Sequence, residues 1–175
     1  MTSRRVSIPL ALLLVLTCAS IAFFVYFGPD FPPNVAMHFG ADGRANGYMD
    51  RVKFIVLSSF VSFMLPTLIV TVIGVFPRVM LVSAMNIPGK SYWSATADRR
   101  EELLTLLLWF GLWMGCLIQA FLVAINASLL QANRVEPASL PPWSGWVLSV
   151  AFLGGLLAWI GAFLRALKVP RANLP

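Results

Sequence analysis

The sequence predicts an all-α membrane protein in which four transmembrane helices form a single domain over residues 1–175. The first observation is composition: 59% of the 175 residues are hydrophobic and 11% are charged, whereas about 25% of the residues of a soluble domain are charged. The second is that the apolar residues fall into four blocks, each long enough for a helix to cross the roughly 30 Å hydrocarbon core of a bilayer. Together they exclude an ordinary soluble domain.

The predicted spans are residues 7–27, 54–76, 103–130 and 146–167. The apolar run of the first is longer than the roughly 7–15 residues of a cleavable signal, so we interpret it as an uncleaved anchor. In the second, Pro66 predicts a kink, because proline removes one helical hydrogen bond. Hydroxyl groups are expected to satisfy the freed carbonyl, with candidates at Ser58, Ser59, Ser62 and Thr67. The third would be about 42 Å long, so it must tilt or extend beyond the hydrocarbon.

The positions of lysine and arginine predict that both termini are cytoplasmic. Nine of these 13 residues lie in the N-terminal segment, the 77–102 loop and the C-terminal segment, and four lie in the other two loops. Basic residues accumulate on the cytoplasmic side of bacterial inner membranes. We therefore expect residues 28–53 to form an outer loop and residues 77–102 a cytoplasmic loop. The net charge of +6 is then explained by basic residues that face anionic membrane lipid. We therefore expect no nucleic-acid partner.

Small residues within the spans predict how the helices pack. Span three carries Gly111 and Gly115 in a GxxxG pattern, and span four carries Gly154, Ala158 and Ala162 at four-residue intervals. Such stripes allow helices to approach closely in lipid. We expect spans three and four to pack against each other through them, and a homodimer contact is the alternative.

Polar and reactive side chains are scarce within the spans. Gln119 and Asn126 lie seven residues apart in span three, so they share a face that is expected to point into the bundle. The middle of each span lacks Asp, Glu, Lys and Arg, which argues against an ion-coupled transporter. Cys18 and Cys116 have no metal-binding or redox spacing and are interpreted as small apolar residues.

The outer loop holds the chain's single histidine, His38. Asp42-Gly43 and Asn46-Gly47 are strong turn signals, so we expect a compact, turn-rich loop. The spacing of His38 and the nearby acids matches no zinc or calcium pattern. We expect His38 to order the loop by hydrogen bonding, and we expect no metal or other cofactor.

The cytoplasmic loop combines a Pro88-Gly89 turn with an aromatic pair and a basic pair. Ser94 or Thr96 is expected to cap the helix of span three. Tyr92 and Trp93 are typical of residues at a membrane interface. Arg99 and Arg100 are expected to face lipid phosphates or to pair with the neighbouring acids, Glu101 and Glu102.

Both loops resemble a known family. The outer loop is similar to the motif of the uncharacterised domain at the N-terminus of SdpI-type bacterial membrane proteins, through Phe31-Pro32, Val35, His38-Phe39, Gly43 and Gly47-Tyr48. The cytoplasmic loop resembles a second motif of small members of that group, through Asn86, Pro88, Lys90, Tyr92, Trp93 and Arg99 to Glu101. Two positions depart from the pattern, since Ala36 replaces a proline and Asn46 stands where an aspartate is usual. SdpI-type proteins also carry further spans.

SdpI itself confers immunity to a secreted toxin and recruits a transcriptional repressor to the membrane. With this resemblance, we expect a non-enzymatic protein of the bacterial inner membrane with a role in immunity or signalling. Its outer loop would bind a peptide, toxin or partner protein through Pro32, His38, Phe39, Gly43, Asn46, Gly47 and Tyr48. Its cytoplasmic loop would signal or anchor through a partner protein, using Asn86, Pro88, Tyr92, Trp93, Arg99 and Arg100.

Two alternatives stay open. The chain is an accessory subunit or assembly factor of a larger membrane complex if its small-residue stripes face another protein. It is a membrane enzyme if His38 acts with Asp42 or Asp50, although the sequence suggests no substrate for such a reaction.

Overall fold

Four long helices dominate the structure. The computed structural model describes residues 2–169, with the backbone alone for residues 2–5. Within that part, four helical segments are long and apolar enough to cross a membrane, which confirms the prediction of four spans. The helices are α1 (Thr2–Phe27), α2 (Arg51–Val70), α4 (Ala97–Ala132) and α5 (Pro142–Ala166), and a short helix, α3 (Lys90–Ser94), precedes α4. Three residues counted for the predicted orientation lie outside the described part, Arg171 entirely and Arg4 and Arg5 with their side chains.

The all-α prediction is wrong for the segment between α1 and α2, which forms a hairpin. Strands β1 (Asn34–Phe39) and β2 (Ala45–Asp50) pair in an antiparallel two-stranded sheet. The Asp42-Gly43 turn signal lies in their connection, where Gly43 has a φ of +78°. Asn46-Gly47 lies within β2 instead, beside a register irregularity. There a Cβ on Gly47 would lie 2.9 Å from the Cβ of His38, so this glycine serves close strand pairing rather than a turn.

The second span changes its helical geometry near its end. Pro66 is buried inside α2, and the Thr67 hydroxyl donates to the carbonyl of Phe63 at 2.7 Å. After Val70 the chain continues as a π-helical turn over Thr71–Val75 and a 3₁₀ turn over Phe76–Val79. The π turn widens the helix at Gly74, where a neighbouring helix approaches.

That neighbour is α4, which contacts α1, α2 and α5. A Cβ on Gly111 would lie 3.3 Å from the backbone nitrogen of Gly74, and one on Gly115 would lie 2.9 Å from Val70 Cγ2. The GxxxG pattern therefore packs against spans one and two, and the expectation that it faces span four is wrong. On α5, a Cβ on Gly154 would meet no atom within 4 Å. No other helix of the described residues therefore packs against the predicted small-residue stripe at Gly154.

Aromatic side chains attach α5 to α4. Trp159 Nε1 donates to the carbonyl of Phe110 at 3.0 Å, and the rings of Phe121 and Phe152 stack with their centroids 4.4 Å apart. Of the glycines of α5, only Gly155 lies close to α4, where a Cβ would be 2.9 Å from Leu117 Cδ1.

A buried cluster lies at each end of the helices. At the hairpin end it comprises Phe24, Phe31, Val35, Phe54 and Leu130. At the opposite end, the segment between α2 and α4 folds over a second cluster of Val82, Met85, Trp93, Leu103, Leu104, Leu107 and Leu167. There the Thr96 hydroxyl accepts from the backbone nitrogen of Arg99 at 3.2 Å and caps α4, as its position predicts.

We predict that Gly111→Leu destabilises the fold by about 1–3 kcal/mol, because the new side chain must displace the backbone of the π turn. Gly154→Leu is the matched control, since the space beside that glycine is open. Thermal unfolding of both variants in mild detergent measures the difference. Equal unfolding temperatures would contradict the close contact between α4 and the π turn.

Candidate functional site

The amide of Asn133 fastens the hairpin to the end of α4. The backbone nitrogen of Ala36 donates to Asn133 Oδ1 at 2.8 Å, and Asn133 Nδ2 donates to the carbonyl of Ala36 at 2.9 Å. Nδ2 also donates to the carbonyl of Leu129, one turn earlier in α4. The side chain thus takes the place of a neighbouring strand beside β1. Sequence reasoning missed Asn133, because its position signals only a helix end and not a partner 97 residues away.

The turn of the hairpin is tied to the segment that precedes α5. The backbone nitrogen of Leu140 donates to the carbonyl of Gly43 at 2.9 Å, and Arg44 pairs with Ser139 in an isolated bridge. A Cβ on Gly43 would overlap the Leu140 carbonyl oxygen. Gly43 is therefore required both by its positive φ and by this close approach.

Charged side chains hold the segment that leads from α1 into β1. Arg51 Nη1 donates to the carbonyls of Pro29 and Phe31 at 3.1 Å each. Arg134, next to Asn133, forms an ion pair with Asp30 at 3.1 Å. The side chains of Phe31 and Val35 are also fully buried. The hairpin and the segment before it are therefore held both by apolar packing and by polar contacts with neighbouring elements.

His38 lies on the exposed face of the hairpin and bonds within it. Its Nδ1 donates to Asn46 Oδ1 at 2.5 Å, which agrees with a role in ordering the loop. Asp50 accepts from the backbone nitrogens of Val52 and Lys53 and caps α2, and Asp42 accepts from the backbone nitrogen of Arg44. In residues 2–169 neither carboxylate bonds His38, and no group of three or more His, Cys, Asp and Glu residues is placed to hold a metal ion.

The outer edge of β2 is unpaired. Ala36 lies opposite Tyr48 in the sheet, and both backbone groups of Ala36 point to Asn133, so these residues form a non-hydrogen-bonded pair. The N–H and C=O of Tyr48 consequently point away from β1, where no other group of the described residues bonds them. The Tyr48 side chain is 60% exposed.

A groove of roughly 440 Å³ separates the hairpin from the start of α5. Residues of β1 and the turn form one wall, and the other is formed by residues that include Leu140, Pro141, Trp146 and Ser149. Trp146 and the neighbouring Trp143 are largely exposed, which is typical of aromatic residues at a membrane interface.

The structure divides the predicted site residues between the two ends of the helices. One set lies on or beside the hairpin: Pro32, His38, Phe39, Gly43, Asn46, Gly47 and Tyr48. At the opposite end, Trp93 is buried in the local cluster, and the guanidinium of Arg99 lies 4.2 Å from the ring centre of Tyr92. Arg100 Nη2 donates to the carbonyl of Arg78 at 3.0 Å. These contacts favour a packing role for Tyr92, Trp93, Arg99 and Arg100. Asn86 and Pro88 lie at the same end and are exposed.

A segment of the chain matches a known protein family. Residues 15–70 match the family model described as a domain of unknown function (DUF1648). The matched segment contains the second half of α1, the whole hairpin and α2, so it includes the hairpin but not its attachment points at Asn133, Arg134 and Leu140. No curated protein and no solved structure matches the chain.

We predict that Asn133→Leu releases the hairpin from α4, because the N–H and C=O of Ala36 lose their hydrogen-bond partner. Leaving a buried polar group without a partner costs about 1–3 kcal/mol. Hydrogen exchange at the Ala36 amide should accelerate roughly 5- to 150-fold. Asn86→Leu, at an exposed asparagine of the opposite end, is the control. An unchanged exchange rate in Asn133→Leu would show that the amide does not fix the hairpin.

Proposed function

We propose that this chain is an SdpI-like, non-enzymatic protein of the bacterial inner membrane that recognises an extended peptide or protein segment at its hairpin. Both termini would be cytoplasmic and the hairpin would face outward. The match over residues 15–70 supports the comparison with that family, and the uneven distribution of basic residues supports the orientation.

The unpaired edge of β2 is the observation that carries this proposal. An exposed strand edge offers its N–H and C=O groups to an incoming strand, a common way of binding extended peptides. Because Asn133, Leu140 and Arg51 already fix the hairpin, binding would cost little ordering of the protein. The exposed Tyr48 ring provides an apolar contact and Asn46 an amide for side-chain recognition.

A direct connection leads from this edge to the helices. Asp50 is the last residue of β2 and its carboxylate caps α2, so a displacement of β2 moves the start of α2. The far end of α2 continues into the π turn against α4 and then into the segment that carries Tyr92 and Arg100. We propose that peptide binding shifts α2 and alters this segment, which would serve immunity or signalling through a cytoplasmic partner.

A second candidate is an accessory subunit of a membrane complex. Its support is the exposure of α5, whose membrane-spanning window has no buried residue, and the open space beside Gly154 and Gly161. Co-purification in mild detergent separates the candidates. Capture of a partner that Gly154→Leu abolishes favours the subunit, and capture that depends on Tyr48 favours the receptor.

Orientation is tested by single cysteines placed at Ala41 in the hairpin turn and Ser91 in α3, both exposed, after replacing Cys18 and Cys116 with alanine. A membrane-impermeant maleimide should label Ala41→Cys in intact spheroplasts and Ser91→Cys only after permeabilisation. The reverse pattern would place the hairpin in the cytoplasm and rule out recognition of a secreted ligand.

Strand addition is tested with a library of random peptides displayed on phage and selected against the protein in nanodiscs. We expect enriched peptides to lose affinity roughly tenfold or more in Tyr48→Pro, which deletes the outward N–H of an edge strand where proline is tolerated. Tyr48→Ala, which keeps the N–H and removes the ring, is the matched comparison. Equal affinity in Tyr48→Pro and Tyr48→Ala would exclude backbone pairing, and failure to enrich any peptide would count against the receptor.

A further inference from the structure

A cavity of roughly 260 Å³ lies among α1, α2 and α4, in the membrane-spanning part of the chain. Five of its ten lining residues are apolar, including Phe24, Ile55 and Phe63. Its polar lining consists of Thr17, Ser20, Ser59, Ser62 and Gln119, and no ionisable side chain lines it. We call it the α1–α2 crevice. The site is distinct from the hairpin and from the recognition proposed above.

Two of its polar side chains are buried without a partner. Gln119 is 0% exposed, and neither its Nε2 nor its Oε1 has a hydrogen-bond partner. Ser62, on α2, is 3% exposed, and its hydroxyl also lacks a partner. Leaving such groups unpaired costs about 1–3 kcal/mol each, so a hydrogen-bonding molecule that enters the crevice recovers that energy.

The depth of Gln119 excludes the polar groups of ordinary phospholipids as its partners. Gln119 lies 16 residues after Leu103 and 11 residues before Leu130, the two ends of the predicted span, so it is about 4 Å along the helix from the middle of that span. This is near the middle of the roughly 30 Å hydrocarbon core, where ester carbonyls and headgroups do not reside. Its ligand must therefore carry its own polar group into the hydrocarbon.

The crevice opens toward the lipid between α1 and α2. Ile21 and Val25 of α1 and Phe63 of α2 line it and are 59%, 76% and 62% exposed. A molecule dissolved in the membrane can thus enter sideways, without crossing either aqueous surface. A charged group would find no counter-ion there and would be strongly disfavoured.

We infer that the α1–α2 crevice binds a neutral lipid that carries a hydroxyl or carbonyl group within its apolar body. Gln119 Nε2 and the Ser62 hydroxyl donate to the ligand oxygen. Gln119 Oε1 accepts from the ligand when that group is a hydroxyl. The surrounding apolar side chains hold the hydrocarbon on both sides of the polar group.

The experiment uses two photoreactive probes with the full chain in nanodiscs: a long-chain secondary alcohol with a mid-chain hydroxyl and a diazirine, and the alkane that lacks only the hydroxyl. We expect crosslinking at the crevice to be at least about threefold greater for the alcohol, as one or two hydrogen bonds within the membrane provide. The ratio should fall to about one in Gln119→Leu. It should persist in Gln131→Leu, which removes an exposed amide at the end of the same helix.

Thermal unfolding without the probe distinguishes ligand binding from a packing role. Gln119→Leu should unfold at an equal or higher temperature, because it removes an unpaired buried amide. If Gln119→Leu does not fold, Ser62→Ala is the second variant and should also lower the ratio. The inference would be overturned if the ratio of alcohol to alkane crosslinking were near one in the wild type, or if the crevice variants left it unchanged. The crevice would then hold only water or empty space. Failure of the phage selection leaves this test unaffected, because the hairpin is not involved.

Discussion

The close contact of α4 with the π turn of the second span determines much of the architecture. In lipid the hydrophobic effect does not drive helices together, so association depends on packing and hydrogen bonds. Gly111 faces the backbone of Gly74, and the missing side chains allow the two backbones into van der Waals contact. With α4 held in this way, its end presents Asn133 to the hairpin and its middle presents Gln119 to the crevice.

Hydropathy predicts where the spans lie along the chain but not which helices pack against each other. Each span is predictable because crossing a bilayer imposes a length and composition on every helix. The partner of a glycine is a property of the assembled bundle: Gly111 and Gly154 look equivalent in sequence, yet one touches backbone and the other faces open space. Likewise, Asn46-Gly47 carries a turn signal as strong as Asp42-Gly43, and only the pairing of β1 with β2 decides which of them closes the hairpin.

The hairpin also shows why its site residues were only partly predictable. Motif resemblance singles out His38, Gly43, Gly47 and Tyr48, which lie close together along the chain. The contact of Gly43 with Leu140 is not visible in that motif. Asn133 has no such signature, although its amide provides the edge against which β1 is fixed. The neutral Asn46 beside His38 shows that a hydrogen bond can join the two strands without a carboxylate.

Helix α2 joins the two proposed sites. Its first turn is capped by Asp50 of β2, and Ser62, three turns further on, lines the crevice. A peptide on β2 that moves α2 relative to α4 therefore also changes the distance between Ser62 and Gln119. Such a movement couples the sites only if the ligand binds one position of α2 better than the other. By thermodynamic reciprocity, a lipid that draws Ser62 and Gln119 onto one oxygen atom would then change the affinity of the hairpin for its peptide by the same factor.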